Sequence, residues 1–438
     1  MLFLAACSKA CTSLANLASQ LGWFGGGCEK ACFTGHNVGL SVFVFTIMLR
    51  MTHPKISQSA VLIAHPDRSR SDMCPGALKL HHATDGAIGR VRFPGGRVRP
   101  EQWKTIAQIA RELGDGTIHI TTRGNMQFRG VKDEAQFATV VEESGFLPSR
   151  SHDKIRNILA SPLHPELWPL VDSLDAALLN DDVVSGLSGR TLFGFDAGEG
   201  DILSQRPDFG VIAIDDAHHM ILGGQITEIR LNDLEIIPKV LTFAARIWQE
   251  NREASWRLHE SPSVRALILE QIQAHFAVET QPVIPPVIEG SARPVGWIDL
   301  GDERVSLGAG LRFGFLTAQV ADILSAIDAE TTITPWASIV IHNLPHYDAD
   351  AVVKVLAPLG MLFDQESPWL RVTACTGLPG CQKSLSNTQN DATQLVISGK
   401  APEGLVHFSG CDRRCGHPLS HHTEYVATGD GEYEVSAR

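Results

Sequence analysis

Four cysteines near the C-terminus constrain this chain more than any other feature. They form Cys375-Thr376-Gly377-Leu378-Pro379-Gly380-Cys381 and Cys411-Asp412-Arg413-Arg414-Cys415, a Cys-x5-Cys pair followed thirty residues later by a Cys-x3-Cys pair. Four thiolates is the number an iron–sulfur cube takes. Gly377, Pro379, Gly380 and Gly410 let backbone wrap closely round such a centre and aim amides at the sulfurs. Structural zinc is the alternative, although its knuckles are usually shorter. Disulfide pairs suit an oxidising compartment rather than the cytosol. Buried inert thiols would explain one or two of the four.

The rest of the chain has room for a large fold around that centre. At about 150 residues per domain, 438 residues suggest two or three domains. A 44% hydrophobic, 20% charged composition excludes disordered, collagen-like and miniprotein classes. A net charge of −12 argues against a general nucleic-acid binder, which needs clustered Lys and Arg. Residues 1–50 read differently, with Cys7, Cys11, Cys28 and Cys32 beside Gly25-Gly26-Gly27. Leu4-Ala5-Ala6-Cys7 imitates a lipoprotein box, but a basic n-region is missing and the apolar stretch is short. The apolar run 38–49 is about a dozen residues, where a span needs about twenty. These fifty residues are therefore expected to be a leader outside the fold, or the product of a wrongly chosen start, with Met51 opening the working protein. A metal site at the two Cys-x3-Cys pairs is the weaker reading. No later segment reads as transmembrane, so the expected location is the cytoplasm.

From Asp85 to Val131 the pattern is strand, helix, strand. Ile88 to Phe93 alternates, Pro94-Gly95-Gly96 breaks the strand, and Trp103, Ile106, Ala110 and Leu113 repeat at helical spacing between Pro100 and Gly114. Thr117 to Thr122 is β-branched and runs into Arg123-Gly124-Asn125. The order returns later: Trp297 to Leu307 is strand-like, Gly308 to Gly310 interrupts it, and Val320, Ile323, Leu324 and Ile327 make a helical face before the Ser338 to Ile341 strand. Gly95-Gly96-Arg97-Val98 aligns with Gly310-Leu311-Arg312-Phe313, about 215 residues on. A duplicated α+β unit follows from this repeat; coincidence between two common motifs is the bland alternative. The proline-rich 281–290 stretch is the expected linker. Mixed α/β stretches follow each unit, over 149–280 and 364–438.

Between Arg90 and Gly130 eight Lys or Arg (Arg90, Arg92, Arg97, Arg99, Lys104, Arg111, Arg123 and Arg129) stand against three acids. Within an acidic chain that is a focused anion site, and Arg forks grip carboxylates with two parallel hydrogen bonds. Arg97, Arg99, Lys104 and Arg111 are expected to be solvated. Asn125 and Gln127 follow Arg123 at alternate positions, so all three can face one pocket from a strand end. No Gly-x-Gly-x-x-Gly lies between a strand and a helix, so electrons must come from outside the chain.

The cysteine pattern, Thr121-Thr122-Arg123-Gly124-Asn125-Met126-Gln127 and Arg90-Val91-Arg92-Phe93-Pro94-Gly95-Gly96 together resemble the nitrite/sulfite reductase superfamily. Within it, Cys74-Pro75-Gly76-Ala77-Leu78, the Ala374 to Cys381 and Cys411 to Pro418 segments, residues 308–317 and Thr334-Pro335-Trp336 are most similar to the precorrin-3B synthase family. The resemblance covers Asp67 to the C-terminus. It implies an α+β fold of duplicated ferredoxin-like halves (65–135 and 291–360) and two α/β cluster-type half-domains (145–280 and 364–438) in a pseudo-two-fold, sulfite-reductase-like architecture. Only the second half-domain would carry a [4Fe–4S] cluster, on Cys375, Cys381, Cys411 and Cys415. It implies catalytic roles for Arg92, Arg123 and Arg156, with substrate binding by Arg90, Asn125, Gln127, Asn157 and Arg190. The implied activity is oxygen-dependent hydroxylation of precorrin-3A at C20 with γ-lactone formation, in cobalamin synthesis. Dioxygen would be the co-substrate, and an NADH-linked reductase or ferredoxin the electron donor; neither nucleic acid nor a membrane is expected as a partner. A non-haem iron is implied without known ligands, and His81, His82, His417, His421 and His422 are candidates on residue type alone. Cys74 reads as a packed thiol.

One segment departs from the reductases. Their Lys-x-Lys motif falls on Ser188-Gly189-Arg190-Thr191-Leu192-Phe193-Gly194-Phe195-Asp196, where Arg190 and Leu192 take the two places. Reduction of sulfite or nitrite needs repeated protonation, and a guanidinium is a poor proton donor. A sirohaem-dependent sulfite or nitrite reductase remains the alternative enzyme. A non-catalytic iron–sulfur or tetrapyrrole-binding protein is the alternative outside enzymes.

Overall fold

Each quarter of the chain forms elements that its residue pattern dictates. The computed structural model describes residue 72 and residues 74–283, 293–418 and 420–438. The expected leader, Met51 and most of the proline-rich linker lie outside the described residues. The first quarter carries β1 (His81–Ala83), β2 (Gly86–Val91), a tight turn at Pro94–Gly96, β3 (Arg97–Val98), α1 (Pro100–Leu113), β4 (Thr117–Ile120), β5 (Met126–Val131) and α2 (Glu134–Glu143). Pro100 opens α1 at a position with no amide to satisfy, and the Gln102 side chain accepts from the Arg99 amide at 2.8 Å. Trp103, Ile106, Ala107 and Ala110 form its buried stripe.

The second quarter contains β6 (Ile158–Ala160), α3 (Trp168–Leu179), β7 (Phe193–Asp196), β8 (Phe209–Ile214), β9 (Ala217–Leu222), β10 (Gln225–Leu231), α4 (Ile237–Asn251), α5 (Pro262–His275) and β11 (Glu279–Thr280). The third contains β12 (Gly296–Gly301), β13 (Arg304–Leu311), β14 (Phe315–Thr317), α6 (Ala318–Ile327), β15 (Thr331–Ile333), β16 (Ser338–Pro345), α7 (His346–Leu356) and β17 (Met361–Leu362). The last contains β18 (Val372–Ala374), α8 (Thr388–Ile397), β19 (Leu405–Ser409), β20 (His422–Gly429) and β21 (Glu432–Ala437).

Among the described residues these strands make four sheets. Two belong to the ferredoxin-like halves, in the orders β1-β2-β5-β4-β14 and β12-β13-β16-β15-β3. Each half thus borrows its last strand from the other: β14 pairs with β4, and β3 with β15, both antiparallel. Across this exchange α1 packs on α6, the Trp103 indole donates to Thr331 Oγ1 at 2.8 Å, and Thr331 donates on to the Val98 carbonyl at 3.1 Å. Arg97 is not merely solvated, since it donates to Glu330 at 2.7 and 3.1 Å across the same seam.

The two remaining sheets form the α/β half-domains. β6, β7 and β8 run parallel before the sheet turns antiparallel through β9, β10 and β11. β18, β19 and β20 run parallel, with β21 antiparallel on the edge. The fold is therefore of the expected α+β class, with a duplicated pair of strand-exchanged halves and two α/β half-domains.

Three local readings are corrected. Residues 297–307 are not one strand but a hairpin, β12 to β13, turned at Asp302 and Glu303, both at positive φ. Gly308 and Gly310 do not interrupt β13. A Cβ on Gly308 would lie 2.4 Å from the Pro294 carbonyl oxygen, and one on Gly310 2.3 Å from Leu370 Cδ2. These glycines admit close neighbours instead of breaking the strand. The repeat is offset by three residues from the sequence alignment, because the turn Pro94–Gly96 matches Arg312–Gly314. Gly95 and Phe313 both take positive φ there, at 64° and 52°, a conformation that hides the correspondence behind different residue types.

Candidate active site

The chain enters the described fold by docking a tight turn on the first α/β half-domain. Asp153 accepts from the Ala77 and Leu78 amides at 2.8 and 3.1 Å, and a Cβ on Gly76 would strike its Oδ2 at 1.9 Å. Arg92, at the end of β2, is spent on this junction: its guanidinium donates to the carbonyls of Pro75, Arg90 and Lys154 at 3.2–3.4 Å. Arg156 is likewise committed, by a two-pronged pair with Asp175 at 2.7 and 2.6 Å. The buried amides Asn125 and Asn157 meet at 3.0 Å. Asn125 also accepts from the Phe93 amide, and Asn157 Nδ2 faces the carbonyls of Lys154, Gly189 and Thr191. These four residues tie the strand ends together.

The guanidiniums of Arg90 and Arg123 make fewer hydrogen bonds, and that of Arg190 rests on an aromatic face. Arg90 donates one hydrogen bond to Gln127 Oε1 at 2.9 Å, and Arg123 one to the Arg190 carbonyl at 3.3 Å. The Nε atom of each of the three is buried and has no hydrogen-bond partner among the described residues, and Arg92 Nε shares that state. Burial and neighbouring cations press the guanidinium pKa values of Arg90 and Arg123 downward. Such a site favours an arriving anion, because it restores both hydrogen bonds and neutrality. Arg190 lies 4.6 Å over the Trp256 ring, and its Nε is 3.7 Å from Asp72. Burial works upward on the Asp72 carboxyl, but the Cys74 amide, Ser188 and Arg190 outweigh it and hold it below its usual range. Cys74, partly buried beside Asp72, has its thiol pushed up by burial and by that carboxylate. Asp72, Trp256 and Arg257, whose charge is among those bearing on Arg123, were not expected, since none lies in a recognisable motif. Leu192 packs with Leu159, Ile202 and Trp336 in an apolar cluster, so it stands in the core.

The four cysteines of the second half-domain come together at the C-terminal ends of parallel strands. Ala374 pairs with Phe408, so Cys375 and Gly410 leave adjacent strands side by side. The Cys375 amide donates to the Phe408 carbonyl at 2.9 Å, and the Gly410 amide donates to Cys375 Sγ at 3.2 Å. A Cβ on Gly410 would fall 1.9 Å from Ser384 Oγ, and one on Gly377 2.4 Å from Thr388 Oγ1. The Cys415 thiol is pushed up by burial and by Cys375, Cys411 and Cys381 around it. His407, held neutral by burial with its pKa lowered to about 3, lies 3.1 Å from the Cys415 carbonyl through Nε2 and 2.9 Å from Thr373 Oγ1 through Nδ1. Among the described residues no three His, Cys, Asp or Glu side chains converge on a point where one metal ion would sit. A cube binds each thiolate at a different iron, so its ligands stand apart; the donor set and amide-to-sulfur bond fit a [4Fe–4S] cluster. A mononuclear iron finds no such fit among the described residues. His417, His421 and His422 each place Nδ1 near a backbone carbonyl, and His81 and His82 lie exposed on β1.

The first half-domain repeats this corner without a thiol. The Ser161 amide donates to the Phe195 carbonyl at 3.0 Å and Ser161 Oγ accepts from the Ala197 amide at 3.0 Å, the bonds that Cys375 makes in the second.

Comparison with known proteins agrees with this geometry. Residues 81–140 match the nitrite/sulfite reductase ferredoxin-like half domain. The chain is 25% identical over 382 residues to a precorrin-3B synthase of Sinorhizobium sp, covering 80% of this chain and 79% of that protein. It is 25% identical over 376 residues to a sulfite reductase [ferredoxin] of Mycobacterium tuberculosis, covering 74% and 67%. The solved structure of the Mycobacterium tuberculosis NirA protein superposes with a TM-score of 0.66 at 17% identity, over 80% of this chain and 73% of that one. Among the described residues no helix is long and apolar enough to cross a membrane. In sequence and in fold, the chain resembles the redox enzymes of the nitrite/sulfite reductase superfamily, precorrin-3B synthase among them.

Proposed function

We propose that this protein is an oxygen-dependent precorrin-3B synthase of the cytoplasm, hydroxylating precorrin-3A at C20 with γ-lactone formation. The observation that carries the reading is the group Arg90, Arg123 and Arg190, which like Arg92 have buried Nε atoms without a partner among the described residues, in a chain that also brings four cysteines near one another. A precorrin carries acetate and propionate arms round its rim, and guanidinium forks bind carboxylates in pairs of hydrogen bonds. Gln127 aims Arg90, the Trp256 face and Asp72 steady Arg190, and the Asn125–Asn157 bridge fixes the strand ends from which these side chains project. Arg92 and Arg156 act in this scheme by holding that frame. A [4Fe–4S] cluster on Cys375, Cys381, Cys411 and Cys415 would supply single electrons, drawn from an NADH-linked reductase or a ferredoxin.

The second reading is a sirohaem-dependent sulfite or nitrite reductase, favoured by the equal identity to a sulfite reductase. Against it, the basic residue in the Ser188–Asp196 segment is an arginine, a poor proton donor. An anaerobic preparation assayed for iron, sulfide and acid–acetone-extractable tetrapyrrole separates the two. The synthase reading expects iron and sulfide without sirohaem, and oxygen uptake when precorrin-3A and a reductant are added. Stoichiometric sirohaem would refute it, and precorrin binding without oxygen uptake would leave a non-catalytic binding protein.

A further inference from the structure

Arg129 stands on β5, two residues beyond Gln127, and has no place in the scheme above. It is 7% exposed, and its guanidinium grips Asp85 at 2.8–3.0 Å through Nε and Nη2. The same Nη2 donates to the Gly380 carbonyl at 3.2 Å, immediately before Cys381. Next to Asp85, the Thr84 hydroxyl accepts from the Gln382 amide at 3.3 Å, immediately after Cys381. A Cβ on Gly380 would lie 3.1 Å from Asp85 Oδ2 and 2.8 Å from Thr376 Cγ2, so the loop is shaped to seat this ion pair. Both peptides flanking one cysteine are thus fastened to the first ferredoxin-like half, in addition to bonds within their own loop from the Cys381 amide to the Gly377 carbonyl and from the Ser384 amide to the Cys381 carbonyl.

We infer that Arg129 and Asp85 are a positioning pair for the cluster centre: together they seat the Cys381 loop, and the Arg129 charge favours the reduced form of the centre. The inference rests on the cluster part of the functional reading and not on the identity of the tetrapyrrole. Reduction adds negative charge near a fixed, mostly buried cation, which raises the reduction potential; the Asp85 carboxylate opposes this. Lys keeps the charge but lacks the fork that holds Asp85 and the Gly380 carbonyl together.

The test is an EPR-monitored redox titration of the iron- and sulfide-loaded protein without tetrapyrrole. Arg129→Gln is expected to lower the midpoint potential, Asp85→Asn to raise it, and Arg129→Lys to leave it near wild type while losing iron faster on dilution. Midpoints unchanged in Arg129→Gln and Asp85→Asn, or displaced in the same direction, would overturn the inference, because a merely structural contact gives no opposite signs. Should a variant fail to load, hydrogen exchange of the iron-free proteins decides: amides of residues 377–385 exchange faster in Arg129→Gln if the clamp exists, and unchanged protection refutes it. A wild-type chain that takes up no iron and sulfide would instead refute the cluster reading itself.

Discussion

Arg123 and Arg156 are both buried arginines near the same strand ends, yet they are committed differently. Arg156 spends its fork on Asp175, so Arg156→Ala should destabilise the fold by roughly 3 kcal/mol, the lower end for a broken buried pair, and a denaturant melt checks it. Arg123 keeps an unpartnered Nε, so Arg123→Ala should weaken binding of a carboxylated porphyrin by about tenfold or more, read by absorbance titration. Sequence reasoning drew both residues to the site, but residue type does not say which carboxylate a guanidinium meets. Asp175 lies far from any motif, and Asp72 stands just outside the Cys74–Leu78 segment. Asp201 makes a prediction of its own: burial, with Asp196 nearby, pushes its carboxyl up to about 7 from 3.8. The folded state then binds a proton the unfolded state has lost, so its contribution to stability falls as pH rises from about 4 to about 7 and is flat above. Asp201→Asn imitates the protonated form, so its melting temperature should gain on wild type across that window.

Helices and strands with one buried face were legible because their period shows in a single stretch of chain. α1 runs from Pro100 to Leu113 as its apolar spacing and flanking residues dictate, and α6 buries Val320, Ile323 and Leu324. The glycines of β13 were misread because a glycine that ends a strand and one that admits a neighbour look alike in sequence. Their reason lies with Pro294 and Leu370, contacts that no local pattern announces. Gly308→Ala should therefore cost about 1–3 kcal/mol by overpacking, without moving strand boundaries, as thermal unfolding and amide exchange would show. The seam between α1 and β15 gives a second test at this level. Thr331→Val would strand the Trp103 indole N–H in the core, a loss of about 1–3 kcal/mol by denaturant titration.

Across the whole molecule, the cysteine pattern points to an iron–sulfur centre because a cube needs four thiolates, and the strand ends of β18 and β19 supply the corner from which Cys375 and Cys411 follow. Cys411→Ser should lose iron and sulfide together while far-UV circular dichroism stays at the wild-type value, since the surrounding sheet is built from other residues. The exchange of β3 and β14 was not legible, because pairing partners about two hundred residues or more apart leave no trace in a local window. That exchange has a consequence for the chain as it is made. When the first ferredoxin-like half leaves the ribosome, the β4 edge that β14 will cover stays open until residues 315–317 have emerged. An open strand edge is a template for wrong partners, and long-range closure is slow. The nascent chain therefore exposes one hungry edge while about two hundred further residues are made, and the interval in which a chaperone would matter ends only when the second half arrives to close it.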